Sequence, residues 1–320
     1  MGAIRFPHLG LELNLPNGFY IGNFEIRFYG IIIALGLVCG ALLAYRLAKK
    51  TGQNVDDYIN FTFFAVIGAI ICARIYYVAF EWDYYSEHLK EIIDIRGGGI
   101  AIYGAVFGGA ITLIIFAKIN KLSFFKMADT IIPGLLVGQI IGRWGNFFNR
   151  EAFGGFTDNF LAMQIPLADV SVGHITDDML VNVAGTTYVQ VHPTFLYESV
   201  LNLVLLILIL VFREKKKFQG ETLCRYCVGY GIIRFFVEGL RTDQLQFGNG
   251  IAISQVVSVV IATLGIFFIV FMHIRFRGRE GIFDPTPEKA VKKDEKSETV
   301  ETTESSETVE TKESSENGEE

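Results

Sequence analysis

The chain has 320 residues, of which 51% are hydrophobic and 19% charged, a balance too apolar for an ordinary soluble domain. Its net charge of −6 comes from one end: residues 281–320 hold 13 acidic residues against five lysines, which leaves the first 280 residues at +2. The low pI therefore says little about partners, and no feature points to nucleic acid.

Residues 1–24 are too polar for a cleavable signal peptide, so the first apolar stretch is expected to direct insertion itself. Seven such stretches follow, at about 28–45, 59–80, 100–119, 127–144, 194–212, 223–240 and 251–274. Each matches the length of a helix crossing a hydrocarbon core of about 30 Å. They are continuously apolar rather than alternating, which argues against a β-barrel. The expected fold is thus all-α and polytopic, with seven transmembrane helices. Lysines and arginines cluster after every odd-numbered stretch: Arg46, Lys49 and Lys50; Lys118 and Lys121; Arg213 and Lys215–Lys217; Arg275, Arg277 and Arg279. The positive-inside rule then puts the N-terminus outside and the C-terminus in the cytoplasm.

Between spans four and five, about 143–193 is expected to form a small extracytoplasmic cap, with short strands as its expected content. The division is a membrane body over 1–280 and an acidic cytoplasmic tail over 281–320. In the tail glutamate recurs every third residue from Glu298 to Glu319 among Ser and Thr, which leaves nothing apolar to bury and predicts disorder. The cysteines Cys39, Cys72, Cys224 and Cys227 all lie in apolar stretches, where they act as small packing residues. Cys224-x-x-Cys227 lacks the second half of a metal site. No His/Cys/Asp cluster has ligand spacing, so neither metal nor cofactor is expected.

Charged groups inside the apolar stretches are the strongest functional signal, because they need a partner. Arg74 lies deep in the second stretch. Arg143 sits at the outer end of the fourth, within Gly142-Arg143-Trp144-Gly145-Asn146-Phe147-Phe148-Asn149-Arg150-Glu151 and ahead of Gly154. Arg234 and Glu238 are four apart on one helical face, either a structural pair or part of a site, and Arg241 follows. Arg143 and Arg241 both fall at outer ends, and their convergence favours a phosphate over an internal ion pair. Glu198, one turn into the fifth stretch, needs an arginine. Gly104 and Gly108 form a small-xxx-small packing face, and Gly97-Gly98-Gly99 offers free backbone N–H groups to an anion. Tyr29 is a belt aromatic or a ligand.

These blocks, in this order, resemble the prolipoprotein diacylglyceryl transferases of the bacterial cytoplasmic membrane. The resemblance spans about 28–277 and rests above all on Gly142-Arg143-x-Gly145-Asn146-Phe147-x-Asn149-x-Glu151-x-x-Gly154. His192-Pro193-Thr194 with Leu196-Tyr197-Glu198, and Arg234-Phe235-x-Val237-Glu238 with Arg241, add to it. It implies transfer of the diacylglyceryl group of phosphatidylglycerol to the lipobox cysteine of a prolipoprotein signal peptide. On that implication Arg143, Arg234, Asn146, Glu151 and Tyr103 are catalytic, and Tyr29, Arg143, Gly154, Glu238, Arg241 and His192 bind substrate. Arg143 with Arg234 or Arg241 would hold the phosphate, Asn146 and Tyr29 would orient the glycerol oxygens, and Glu151 would anchor an arginine or assist thiol deprotonation. His192 is a weaker base. One position departs: Tyr103-Gly104-Ala105-Val106 stands where many members have His-Gly-Gly-Leu. Tyrosine, with a reference pKa near ~10, is a poor base at neutral pH, which leaves it a hydrogen bond to phosphate. A transporter or a lipid-binding scaffold would also bury arginines; no repeat relates the first and last three stretches.

Overall fold

The computed structural model describes residues 2–94, 98–170, 173–246, 250–279 and 281–283. Eight α-helices form: α1 Phe28–Lys50, α2 Val55–Phe80, α3 Trp82–Tyr85, α4 Ile102–Ile119, α5 Phe124–Asn149, α6 Thr194–Phe212, α7 Glu221–Leu240 and α8 Ile253–Arg275. Six of these, α1, α2, α4, α5, α6 and α8, are long and apolar enough to cross a membrane. The stretch expected as a further span is α7, which has 20 residues. Glu221, Arg225, Arg234 and Glu238 keep it less apolar than the other six. The outward faces are apolar, as at Phe63, Ile75, Leu208 and Phe267. So much exposed hydrocarbon suits lipid rather than water. Most of the tail, from residue 284, lies outside the described residues, as does Gly97.

Seven strands are present: β1 Ile4–Phe6, β2 Leu11–Leu13, β3 Gly18–Ile21, β4 Phe24–Arg27, β5 Met163–Pro166, β6 Leu180–Val183 and β7 Thr186–Val191. β3 and β4 make a hairpin that runs into α1. The other five form one antiparallel sheet in the order β2-β1-β5-β7-β6. Its β6–β7 turn places Ala184 and Gly185 both at positive φ, as a two-residue hairpin loop requires. The sheet differs from the expected insertion in two ways. Two of its strands come from the polar N-terminus, and 143–149 is still α5 rather than sheet or loop. Ile4, Phe6, Met163, Ile165, Val189 and Val191 pack with Phe147 of α5 and Phe195 of α6. Those two rings stack with centroids 4.7 Å apart. The sheet thereby clamps the C-terminal end of α5 to the N-terminal end of α6.

Glycines set the helix spacing. A Cβ on Gly104 would lie 2.5 Å from the Cys72 carbonyl, and one on Gly108 2.5 Å from the Gly68 carbonyl, so the small-xxx-small face seats α4 on α2. Gly40 of α1 and Gly134 of α5 meet backbone to backbone, each occupying the space a partner's Cβ would need. At the end of the bundle away from the sheet, Asp129 of α5 is 1% exposed. It accepts from Lys216 Nζ at 3.0 Å, from Gly220 N–H at 3.0 Å and from Leu223 N–H at 3.1 Å. A carboxylate on free N–H groups at a helix start is favourable, so Asp129 of one helix caps another.

The Gly40–Gly134 contact gives the first prediction. Gly134→Ala should lower unfolding stability in detergent by about 1–3 kcal/mol, the usual cost of overpacking. Gly109→Ala, with open space at its Cβ, should not. Equal melting temperatures for the two variants would contradict the close α1–α5 approach.

Candidate functional site

The last turns of α5 place Arg143 and Asn146 three residues apart on one face. Arg143 Nη1 donates to Asn146 Oδ1 at 3.2 Å, and Asn146 Nδ2 donates to Glu151 Oε1 at 2.9 Å. Asn149 reaches the same Glu151 oxygen at 3.3 Å. Glu151, expected to anchor an arginine or assist thiol deprotonation, thus reaches Arg143 through Asn146. On its other side Arg143 Nη2 is 2.7 Å from Glu198 Oε1.

Glu198 sits one turn into α6, 1% exposed, and joins three helices. Its second oxygen accepts from Arg234 Nη1 of α7 at 3.3 Å, and Tyr230 OH reaches Oε1 at 3.4 Å. Arg234 also pairs with Glu238 one turn along α7, and Glu238 accepts from Ser254 Oγ of α8. Arg241 lies 4.0 Å from Glu238 and forms a bidentate pair with Asp243 at 2.9 and 2.7 Å. Burial raises the Asp243 carboxyl pKa, but the Arg241 guanidinium outweighs it and holds the group below its usual range.

One continuous chain results: Glu151, Asn146, Arg143, Glu198, Arg234, Glu238, Arg241, Asp243. It gathers six of the ten residues expected for the site. Arg143 and Arg241 were expected to favour a phosphate over an internal ion pair; here the three guanidiniums of Arg143, Arg234 and Arg241 stand beside carboxylates. Each of the three has a carboxylate partner, because isolated cations at this depth lack solvation and the chain supplies Glu198, Glu238 and Asp243 to meet them. Arg143 is the most exposed of the three, at 22% of its side chain against 15% for Arg234 and Arg241.

The other four are not members of this chain. Tyr29 lays its ring on Gly145, where a Cβ would be 2.9 Å from Cδ2, within electrostatic reach of Glu151 and Arg143. Gly154 is a backbone crossing. Its N–H donates to the His192 carbonyl at 3.0 Å, the next N–H donates to the Leu240 carbonyl at 2.9 Å, and a Cβ would meet His192 Cβ at 2.7 Å. It ties the segment after α5 to the start of α6 and the end of α7. His192 turns its ring to Tyr197 OH at 3.2 Å and Asn159 at 3.5 Å, not to an arginine. Burial holds its imidazole below the usual histidine range. Tyr103 packs beside Tyr76 of α2, ring centroids 6.5 Å apart. Among the described residues no hydrogen bond or ion pair joins it to the arginines.

Two other arginines read from the sequence are structural. Arg74 donates to the carbonyls of Glu91, Ile92, Gly98 and Gly99, so those glycines present carbonyls to a cation rather than N–H groups to an anion. Arg150, 1% exposed, donates to Asn17 and to the Leu15 carbonyl and fastens the N-terminal segment under the sheet. Tyr230, Ser254 and Asp243 belong to the site and were missed. Tyr230 was readable, four residues before Arg234 on its face; a serine in the first turn of α8 carries no such signal.

The family model described as prolipoprotein diacylglyceryl transferase matches residues 16–271. The chain belongs to that family. Proteins named phosphatidylglycerol–prolipoprotein diacylglyceryl transferase are similar along nearly their whole length. That of Lysinibacillus sphaericus is 41% identical over 267 residues, 83% of this chain and 95% of its own. That of Finegoldia magna is 42% identical over 279 residues, 87% and 98%. That of Clostridioides difficile is 41% identical over 254 residues, 79% and 94%. Within this member of the transferase family the matched region takes in Arg143, Glu198, Arg234 and Glu238 alike.

Glu198 decides whether the network holds. Glu198→Gln leaves Arg143 and Arg234 facing a neutral amide and should cost about 3–5 kcal/mol of stability, the range for breaking a buried pair from one side. Denaturant unfolding in micelles measures it; a change below about 1 kcal/mol would mean the pairs contribute no more than surface ones.

Proposed function

We propose that this protein transfers the diacylglyceryl group of phosphatidylglycerol to the lipobox cysteine thiol of a prolipoprotein, the first step of bacterial lipoprotein maturation. The family membership supports the reaction. The observation that carries the site is the chain of ion pairs joining α5, α6 and α7 under the sheet, with Arg143 as its most open cation. In the reaction the sulfur attacks the glycerol carbon bearing the phosphate ester. A C–S bond forms, that C–O bond breaks, the thiol proton passes to a base and glycerol phosphate leaves. A thiol of pKa about 8.5 needs modest activation. The larger demand is the charge gathering on the leaving phosphate, which a fixed cation in a water-poor site meets best.

Arg143 holds the phosphate in this reading. It spends one amino group on Glu198 and one hydrogen bond on Asn146 and keeps further N–H donors. Glu198, Arg234 and Glu238 position it, and Arg241 is committed to Asp243. Asn146 and Tyr29 orient the glycerol oxygens. Glu151, linked through Asn146, takes the thiol proton; His192 is a weaker base, turned toward Tyr197. Gly154 and His192 shape the site through their backbones. Tyr103 is left with a hydrogen bond to the phosphate, made only if α4 approaches the network.

The same reading sets the protein in the bacterial cytoplasmic membrane with seven spans. The span added to the six apolar helices is α7, sixth in chain order, whose charges face the bundle and whose 20 residues suffice for about 30 Å. The N-terminus and the sheet lie outside as an extracytoplasmic cap, and the C-terminus and its acidic tail lie in the cytoplasm. Residues 1–280 then make one catalytic body and 281–320 an appended tail.

Incubating purified protein with labelled phosphatidylglycerol and a lipobox peptide should yield a thioether-linked lipid on cysteine. Lipid binding without modification would favour a scaffold instead. In that assay Arg143→Lys keeps charge but loses the planar fork, and should lower kcat/KM about 10²–10³-fold. Near-normal turnover would remove this side chain from phosphate recognition. Tyr103→Phe isolates the hydroxyl, and unchanged turnover would take Tyr103 out of the chemistry.

A further inference from the structure

The end of the bundle away from the sheet holds a cavity of 480 Å³ between the C-terminal end of α8 and the segment that leads into α7. Lys217, Arg277 and Arg279 line it, with Phe218, Phe276 and Ile274. We propose that this cavity binds the phosphate of an anionic phospholipid of the nearer leaflet, at the opposite end of the molecule from the Arg143 network.

The cavity is built rather than incidental. After α8 the chain turns at Gly278, φ +80, and returns to pair with the segment before α7. Phe283 N–H donates to the Lys217 carbonyl at 3.0 Å, and Gln219 N–H donates to the Phe283 carbonyl at 2.7 Å. Phe276 and Phe283 stack with centroids 4.5 Å apart. The Arg279 guanidinium lies over both rings, 5.6 and 6.0 Å from their centroids. A guanidinium laid on an aromatic face is fixed in direction while its edge N–H donors stay available.

Charge here contrasts with the other end. No described carboxylate lies within ion-pair distance of Lys217, Arg277 or Arg279. Two carboxylates beside this segment, Glu221 and Asp129, are already engaged. Glu221 holds Arg225 at 2.5 Å and the Lys217 backbone N–H at 2.6 Å, and Asp129 holds Lys216 and the start of α7. His273 also lines the cavity, with its Nδ1 2.9 Å from the Ile269 carbonyl and its Nε2 3.9 Å from Glu221. Among the described residues these three cations therefore have no carboxylate partner.

The cavity wall identifies that anion. One side rises onto Val270 and Ile274, 50% and 70% exposed, on the lipid-facing side of α8. A ligand that fills it carries negative charge at one end and hydrocarbon at the other. Basic pockets beside membrane helices select anionic headgroups in this way. The chain's own acidic tail supplies charge but, being almost all Glu, Ser, Thr and Lys beyond Ala290, cannot cover the apolar wall. Inorganic phosphate shares the headgroup chemistry and likewise lacks the hydrocarbon.

Native mass spectrometry of the full chain in detergent, titrated with phosphatidylserine, tests the proposal apart from the transfer reaction, since phosphatidylserine is not its donor. The double variant Arg277→Gln, Arg279→Gln should weaken phosphatidylserine binding about tenfold or more. The paired control Arg46→Gln, Lys49→Gln on α1, which removes equal charge elsewhere, should not. Unfolding temperatures measured without added lipid confirm that both variants are folded. Should the double variant misfold, Lys217→Gln gives the same readout with a smaller loss. A chain ending at Phe283 should bind as the full chain does. Wild-type affinity in the double variant would overturn the proposal. So would equal competition by inorganic phosphate, which would indicate a free-anion site, or much tighter binding by the shortened chain, which would indicate that the tail occupies the cavity.

Discussion

Everything at the sheet end of the molecule depends on Glu198, a carboxylate at 1% exposure held between guanidiniums from two other helices. In water such a contact contributes little. Beneath a sheet and among membrane helices, neither partner has an alternative source of solvation, and removing one leaves the other uncompensated. The alternation Arg143, Glu198, Arg234, Glu238 therefore works as a register mark. It fixes α5, α6 and α7 at one relative height, because sliding any of them by a turn separates opposite charges and brings like charges together.

Packing reinforces that register from both ends. Above, the Phe147–Phe195 stack and the crossing of the Gly154, His192 and Leu240 backbones bind the three helix ends to one another and to the sheet. Below, Asp129 caps α7 from α5. Between them the glycine contacts of α1 with α5 and of α4 with α2 let backbones approach closely, which replaces the hydrophobic effect as the source of helix association where lipid is the solvent. The side chains of the candidate site thus stand on rigid elements supported at both ends, the condition for holding a fixed electrostatic environment.

Much of this was legible in the chain, for physical reasons. Membrane length and apolar continuity gave helices near all seven stretches, and spacing by four placed Arg234 with Glu238. The sixth stretch, α7, was found by the same apolar continuity although its charges make it the least apolar. What failed had weaker signals. β1 and β2 are three residues each, too short to show alternation, so the sheet's N-terminal half went unseen. Arg74 and Arg150 were read as groups in search of an anion, yet their partners are mostly backbone carbonyls, which every residue carries and no sequence advertises. The pairing of Arg241 with Asp243 was missed because Asp243 lies beyond the motif. Glu198, although flagged as needing an arginine, offered no way to tell that it needed two.

The neutralised site bears on the proposed chemistry. A cleft of three unpaired arginines would grip the phosphodiester of the donor tightly before reaction, and uniform tightness does not speed the chemical step. With Glu198, Glu238 and Asp243 opposing Arg143, Arg234 and Arg241, the ground-state attraction for a singly charged diester is modest. As the carbon–oxygen bond breaks, the phosphate gains a second charge close to Arg143, whose remaining donors point from a fixed position. The response then grows with the charge being formed rather than with the charge already present. This difference between the two states is what accelerates a reaction, and carboxylates beside the arginines create it. The pairing with carboxylates is on this view what allows one of the cations to act selectively on the departing group.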